Sequence, residues 1–221
     1  LESYVSIHSI KKDIKLVELF KARKLRDGRE GVPKKILLVG RAGIGKTTIC
    51  HKLAHLWASG KWYSDKFEAV YILPVRNLKK AKYNGSTLRK KENLETAIAQ
   101  ECCNGAALDD EEFEQLTKYI RNQLKHRSEK VLIVLDGLDE RSGASDEIIN
   151  QAKHRGKQAS RLWVSRPYGV DEERRKLKDD NEALLVENIG FSHNQVAAYI
   201  KTYFKDEQRS QGLQAFLQKQ A

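Results

Sequence analysis

Short apolar runs alternate along this chain with segments of helical periodicity. Two runs are wholly aliphatic, at 36–39 and 131–135, which is typical of parallel strands buried on both faces. Three further strands are predicted at 67–75, 161–165 and 183–187. Helices are predicted at 47–59, 94–103 and 148–158, with another after the acidic residues 109–112. This alternation predicts a three-layer α/β/α fold around a five-stranded, mainly parallel sheet.

The two ends of the chain follow other patterns. Ser192 and Gln195 have the spacing of a capping box and predict a helix start, and a last helix is predicted through Leu213, Phe216 and Leu217. The basic stretch 10–26 places apolar residues at helical spacing and predicts an amphipathic helix. We therefore expect a helical lead-in at 1–30, the main α/β domain at 31–189 and an incomplete helical domain at 190–221.

A glycine loop stands between the first aliphatic strand and the helix that follows it. Residues 40–47 read Gly-Arg-Ala-Gly-Ile-Gly-Lys-Thr, a complete G-x-x-x-x-G-K-T pattern. Glycines let main-chain N–H groups converge on phosphate oxygens, and the following helix directs its positive end at the same anion. Lys46 supplies a charge for the β- and γ-phosphates, and the Thr47 hydroxyl supplies a ligand for Mg²⁺. The predicted nucleotide-binding residues are Gly40, Arg41, Ala42, Gly43, Ile44, Gly45, Lys46, Thr47 and Thr48.

A second motif places acids at the end of the other aliphatic strand. Residues 131–140 read Val-Leu-Ile-Val-Leu-Asp-Gly-Leu-Asp-Glu. Ligands of open α/β sheets lie beyond the carboxyl ends of the strands, so Asp136 is expected beside the glycine loop, where it would hold hydrated Mg²⁺. Asp139 or Glu140 is then placed to orient or deprotonate the attacking water, and the sequence leaves the choice between them open.

The net charge of +11 is unevenly distributed, because the run 76–91 holds seven basic residues and no acidic one. This run and the stretch 10–26 could bind an anionic partner such as nucleic acid or acidic lipid. A solvated loop and a packed helix are favoured instead, since the charge is not interleaved with aromatic residues and no recognised nucleic-acid motif accompanies it. The acidic run at 109–112 resembles a metal cluster, but a helix start explains it better.

Other features bound the class of protein. No apolar stretch approaches the roughly twenty residues that cross a bilayer, and no secretory signal opens the chain. Cys50, Cys102 and Cys103 have the spacing of neither a disulfide framework nor a zinc site. We therefore expect reduced, buried thiols in a cytoplasmic protein. The chain contains no methionine and is expected to be part of a longer protein.

Three motifs in this order resemble the NACHT domain of the STAND class of P-loop NTPases, of the NOD-like receptor type. They are Gly-Arg-Ala-Gly-Ile-Gly-Lys-Thr-Thr, Leu-Asp-Gly-Leu-Asp-Glu and Val-Ser-Arg-Pro. The resemblance implies that Thr47 and Asp136 bind Mg²⁺, that Asp139 and Glu140 orient or activate the attacking water, and that Arg166 senses the γ-phosphate. It also implies that residues from Gly190 onward begin the family's first helical domain.

The same resemblance implies a function. Such domains are switches that hold ADP when closed and ATP when open, hydrolyse ATP slowly and self-associate when open, within innate-immune or cell-death proteins. An amino-terminal effector domain and carboxy-terminal winged-helix and sensor domains are absent from these residues. The sequence also lacks the Asn-Lys-x-Asp element that reads guanine, which favours adenine. The alternative is a stand-alone ATPase that acts on nucleic acid through the run 76–91, or as a phosphotransferase.

Overall fold

The computed structural model describes residues 6–9, 12–25, 27–78, 93–103, 106, 108–156, 158–203, 212–213 and 215–216. The strands are β1 (Ser6–Ser9), β2 (Lys12–Lys15), β3 (Arg23–Lys24), β4 (Glu30–Gly31), β5 (Lys35–Gly40), β6 (Ala69–Pro74), β7 (Val131–Asp136), β8 (Ser160–Ser165) and β9 (Ala183–Asn188). The α-helices are α1 (Lys46–Ala58), α2 (Leu94–Cys102), α3 (Asp110–His126), α4 (Gly143–His154), α5 (Asp171–Lys178) and α6 (His193–Tyr203).

The main sheet has seven strands in the order β2-β1-β9-β5-β8-β7-β6. The five predicted strands are confirmed as β5 to β9, and all of them run parallel. Strand β8 lies between β5, which leads into the glycine loop, and β7, which ends at Asp136. The register pairs Gly40 with Asn188 and Asp136 with Val164. The carboxyl ends of these strands therefore meet at one edge of the sheet.

Hydrophobic side chains cover both faces of the sheet, which confirms the three-layer arrangement. Within β5, Leu37 and Val39 belong to the core on one face, whereas Ile36 and Leu38 belong to the core on the other. Helices α2, α3, α4 and α5 pack on the first face, and α1 packs on the second. Such alternation within a strand that is almost wholly apolar is expected of a sheet covered on both sides.

The amphipathic helix predicted at 10–26 is wrong. Strand β1 pairs with β2 and with β9, both antiparallel, so that β2 becomes one edge of the main sheet, and a 3-10 turn follows at Leu16–Glu18. Ile14 and Leu16 are buried and two positions apart, which suits an extended chain, whereas Val17 is exposed. Pairing of β2 with β1 at the edge of the main sheet overrides the weak helical spacing. The division of the chain into three domains stays a prediction.

Aromatic side chains attach this amino-terminal segment to the second face. Phe20 packs edge-on against Trp62, Tyr63 and Phe67, with ring centroids 6.0, 6.2 and 5.3 Å away. The Trp62 indole donates a hydrogen bond to the Val17 carbonyl. The segment thus packs its apolar residues on the domain, as favoured above, although it is not helical.

Most predicted helices are confirmed, with small shifts at their ends. Gly60, at φ +70°, ends the turn after α1 as predicted. Asp109 and Glu112 form the capping box of α3, so the acidic run caps a helix, and no group of possible metal ligands occurs among the residues with described positions. Helix α4 begins five residues earlier than predicted, and α5 was not predicted.

Several further expectations have mixed outcomes. The capping box of α6 is confirmed, with Ser192 N–H donating to Gln195 Oε1 and Gln195 N–H donating to Ser192 Oγ. Of the last predicted helix only 212–213 and 215–216 are described, and the basic run 76–91 lies outside the described residues beyond 78. The three cysteines form no disulfide among the residues with described positions, and Cys50 is buried as expected, but Cys102 is exposed and Cys103 is only half-buried. Among the described helices, none has the length and apolar character needed to cross a membrane.

Candidate functional site

The glycine loop after β5 needs its glycines for two different reasons. Gly43 and Gly45 have φ angles of +73° and +93°, which residues with a side chain rarely adopt, although no atom would meet a Cβ there within 4 Å. Gly40 has no space for a side chain, because a Cβ would lie 2.9 Å from Ile44 Cγ2 and 3.2 Å from the Asn188 carbonyl oxygen. Backbone conformation and close packing together shape the loop.

Lys46 is the first residue of α1 and folds back over the loop. Its ammonium donates hydrogen bonds to the carbonyls of Gly40 and Arg41, at 2.8 and 2.7 Å. Partial burial lowers the pKa of Lys46, and the nearby Asp139 carboxylate opposes that shift. Because Lys46 begins α1, its positive charge lies beside the N–H groups of the first helical turn, which have no acceptors within the helix and can bind an anion.

Thr47 and Asp136 connect the glycine loop to β7. The Thr47 hydroxyl donates a hydrogen bond of 2.8 Å to Asp136 Oδ2. Asp136 is only 6% exposed, at the end of a strand whose six residues are all buried. The contact brings together two oxygen atoms from residues 89 positions apart. The two predicted metal-binding residues thus lie side by side.

The two acids after Gly137 have different surroundings. Asp139 Oδ1 accepts hydrogen bonds from the Ser165 hydroxyl and the Arg166 N–H, at 3.1 and 2.9 Å, and its Oδ2 lies 3.3 Å from Arg166 Nε. Within the described part of the chain, the Glu140 carboxylate forms no hydrogen bond or ion pair. Asp139 is thus held by β8, whereas Glu140 faces the cavity without a fixed partner.

These residues surround one open cavity of about 300 Å³. Its lining is Ala42, Gly43, Gly45, Lys46, Thr47, Thr48, Arg76, Asp136, Gly137, Asp139, Glu140 and Arg166. Three predicted residues do not line it: Gly40 and Ile44 face the end of β9, and Arg41 is exposed. The structure thus brings together ten of the predicted site residues.

Sequence reasoning missed Arg76 as a site residue. It lies in the 3-10 turn after β6, between the buried residues Val75 and Asn77, and lines the cavity with Lys46 and Arg166. Asn77 is fixed by its amide, which donates to the Glu101 carboxylate at 3.1 Å. The only sequence signal was that Arg76 directly follows a predicted strand, at the same edge of the sheet as the motifs.

A glycine loop between a parallel strand and a helix, with a buried aspartate on a nearby strand, defines the class of P-loop NTPases. The sequence profile of the NACHT domain matches residues 34–207. The chain belongs to the NACHT domain family.

Two named relatives and one solved structure illustrate the similarity. NACHT, LRR and PYD domains-containing protein 3 of Bos taurus is 28% identical over 194 residues, which are 79% of this chain and 17% of that protein. NACHT, LRR and PYD domains-containing protein 10 of Homo sapiens is 26% identical over 192 residues, 80% of this chain and 26% of that protein. The chain thus spans about a sixth to a quarter of the length of these relatives. A closed-state cryo-EM reconstruction of Hsp104 with ATPγS and FITC casein matches 85% of this chain and 28% of that one, at 16% identity and a TM-score of 0.42, a likeness too low to carry an argument.

Proposed function

We propose that this domain binds ATP or ADP with Mg²⁺, hydrolyses ATP slowly and uses the bound nucleotide to control self-association of a larger protein. The observation that carries the proposal is the hydrogen bond between Thr47 and Asp136 beside the Lys46 ammonium. It joins the phosphate loop to the acid of β7 at the cavity.

The cavity has the charges and the donors that a polyphosphate needs. Lys46, Arg76 and Arg166 line it together with the N-terminal turn of α1. Helix N-termini and cations stabilise phosphate oxygens, and arginine can bind a phosphate through two parallel hydrogen bonds. Arg166 is about half exposed and can turn from Asp139 towards a γ-phosphate, as the family resemblance suggests.

Thr47 and Asp136 would hold the magnesium ion. A hydroxyl and a carboxylate oxygen 2.8 Å apart fit a hard cation that prefers oxygen ligands and keeps several of its waters. When bound, Mg²⁺ would neutralise charge on the β- and γ-phosphates during transfer. The buried position of Asp136 fixes its carboxylate and reduces the conformational entropy that binding would cost.

The surroundings of the two acids support a division of labour in hydrolysis. Asp139 is committed to Ser165 and Arg166, so we assign it to orient Arg166. Glu140 lines the cavity without a fixed partner and is assigned as the group that orients the attacking water and accepts its proton.

The switch role and the assembly role come from the family and from the relatives. The relatives' names include LRR and PYD domains beyond the NACHT domain, and this chain matches only a part of them. We propose that effector and sensor domains of a larger cytoplasmic protein accompany this chain, and that nucleotide-dependent self-association occurs through the NACHT domain.

The proposal is tested by nucleotide binding and by oligomeric state. Titration calorimetry should detect ADP and ATP binding with Mg²⁺ to the wild-type chain, and Lys46→Ala should lose ATP affinity while its circular dichroism spectrum is retained. Light scattering should show a 25.3 kDa monomer with ADP and larger species with a non-hydrolysable ATP analogue. Unchanged ATP binding by Lys46→Ala would refute the site, and identical masses with both nucleotides would refute the switch.

The nucleic-acid alternative has a separate test. Of the basic run 76–91, the structure describes only the first three residues, and Arg76 lines the nucleotide cavity. Because Arg76 lines that cavity, we expect it to contact the nucleotide rather than a polynucleotide, and we expect turnover to be insensitive to DNA or RNA. A rise of more than about tenfold with polynucleotide, lost steeply with salt, would favour the alternative.

A further inference from the structure

Asn188 is a polar residue at a buried position, where a polar side chain is unfavourable unless it forms hydrogen bonds. It is the last residue of β9, is 2% exposed and stands opposite Gly40 in the parallel register. Burying an amide is unfavourable unless its polar atoms find partners. Both of the partners described for Asn188 lie outside the ladder of the sheet. Its side chain therefore connects β9 to other segments.

The two hydrogen bonds of the amide lead to different segments. Asn188 Oδ1 accepts from Gly190 N–H at 2.9 Å, and Nδ2 donates to the Ile44 carbonyl at 3.2 Å. The bond to Gly190 is a local turn of a kind that asparagine often forms. This turn accounts for the bond that Oδ1 accepts, but not for the bond that Nδ2 donates. The donor reaches 144 positions back to the glycine loop, which a local turn does not explain.

The orientation of the amide is fixed by its partners. Gly190 N–H can only donate and the Ile44 carbonyl can only accept, so the oxygen must face the first and the nitrogen the second. A leucine at this position would fill the same space but form neither bond.

The bond to Ile44 determines where the next N–H points. The carbonyl of one residue and the N–H of the next lie on opposite sides of a trans peptide. Because Asn188 binds the Ile44 carbonyl outside the cavity, the N–H of Gly45 is directed to the opposite side, and Gly45 lines the cavity. The described residues offer that N–H no other acceptor.

The Ile44 side chain is held at the same place. A Cβ at Gly40 would lie 2.9 Å from Ile44 Cγ2, and a Cβ at Gly190 would lie 2.7 Å from Ile44 Cδ1. The side chain therefore fits between two glycines that leave room for it. Ile44 is fixed through both its carbonyl and its side chain, and both attachments lead to residues 188–190.

We propose that Asn188 is a positioning residue for nucleotide binding, which holds the Ile44–Gly45 peptide with its N–H directed at the phosphates. This inference rests on the proposed nucleotide site. Without the bond the peptide is free to rotate, and the phosphates must then be bound at the cost of ordering it. A contact that is equal in the ground state and the transition state changes KM and leaves kcat unaltered.

Two variants separate the bonds. Asn188→Leu removes both, and Asn188→Asp keeps the acceptor for Gly190 while it loses the donor to Ile44. We expect both variants to bind ADP and ATP about tenfold more weakly in titration calorimetry, because binding must then order the Ile44–Gly45 peptide that the Nδ2 bond holds in the wild type. In steady-state ATP hydrolysis, KM should rise by the same factor with kcat unchanged. Salt screens a buried charge only weakly, so the added charge of aspartate is separated from the lost donor by comparison with the uncharged Asn188→Leu, which should lose affinity to a similar extent.

Glu95→Gln is the matched control for general loss of stability. Glu95 is a buried residue of α2 that pairs with Arg155 and does not line the cavity, so its variant should lose stability while it keeps the wild-type affinity.

Each result decides between the explanations. Wild-type affinity in both Asn188 variants would overturn the inference, and so would a loss confined to Asn188→Leu, which would assign the effect to Gly190. A loss confined to Asn188→Asp would also overturn it, because the added charge would then account for the effect. If the wild-type chain itself binds no nucleotide, the proposed function fails rather than this inference alone.

Discussion

Glu173→Gln is expected to destabilise the domain strongly, because Glu173 is a buried carboxylate with two cationic partners. Its side chain in α5 is 4% exposed, and Oε1 lies 2.9 Å from both Arg141 Nη1 and Lys153 Nζ. Arg141 directly follows the acidic pair of the site, and Lys153 belongs to α4. The carboxylate thus joins α5 to α4 and to the residue that follows the acidic pair.

The size of the effect follows from the exposure of the partners. Breaking a buried ion pair costs about 3–5 kcal/mol, because a charge stays buried without compensation. Arg141 is 37% exposed and can return to water, whereas Lys153 is only 16% exposed. We therefore expect a loss near the lower end of that range, about 3 kcal/mol of the free energy of unfolding at neutral pH.

The loss should depend on pH with a defined sign. Burial by itself opposes the charged form of Glu173, but its hydrogen bond to Lys153 and the charges of Lys153 and Arg141 hold its pKa below the ordinary 4.5. A lowered pKa contributes stability that is present above the unfolded pKa and is lost as pH falls through the folded one. The difference between wild type and Glu173→Gln should therefore be constant above about pH 5 and shrink at lower pH.

Urea unfolding followed by circular dichroism measures this difference. Glu172→Gln is the matched control, since Glu172 is the preceding residue of α5, is 56% exposed and, within the described part of the chain, forms its ion pair with Lys176 in the next turn. It should leave the unfolding midpoint almost unchanged. Equal midpoints for the two variants, or a difference that grows as pH falls, would refute the reasoning.

Three further predictions concern the site. Nucleotide affinity should fall as pH rises into the alkaline range, and the fall should begin at a lower pH than the ordinary pKa of lysine would give. The reason is that burial lowers the pKa of Lys46 and phosphate binds its charged form. Titrations across alkaline pH check this, and an affinity that does not change with pH would contradict it. Glu140→Gln should retain ATP binding and lose most single-turnover hydrolysis, about a hundredfold or more for a proton acceptor, while Asp139→Asn should lose less; equal losses would remove the division of labour. Gly190→Ala should cost about 1–3 kcal/mol of stability because its φ is +85° and its Cβ would meet Ile44 Cδ1, whereas Gly143→Ala, where a Cβ meets nothing within 4 Å, serves as the control in the same urea assay.

The sequence predicted best those residues that act within one continuous segment. The phosphate loop and the acids after β7 each combine a strand, a turn and polar residues in a run of about ten positions, so their geometry follows from local rules. Arg76 follows β6 and Asn188 ends β9, and both reach the site only through the order and register of the sheet. A single sequence does not specify that register.

The errors in the fold have physical causes of the same kind. The stretch 10–26 was predicted as a helix from its spacing, but β2 within it pairs with β1, and β1 in turn pairs with β9, more than 160 residues away. Helix α5 was missed because seven of its eight residues are charged and only Glu173 and Leu177 are buried, which leaves almost no apolar stripe to detect. Tertiary contacts therefore decided both segments.

The position of the Lys46 ammonium affects how affinities at this site should be interpreted. Because the ammonium already has two main-chain oxygens as partners, an arriving phosphate exchanges one set of oxygens for another. A measured dissociation constant then reports the difference in free energy between the bonds to phosphate and the bonds to the two carbonyls. The bonds to phosphate are therefore stronger than the constant by itself suggests. Substituting this lysine also releases two carbonyls of the loop, so its loss alters the empty and the filled forms of the domain alike.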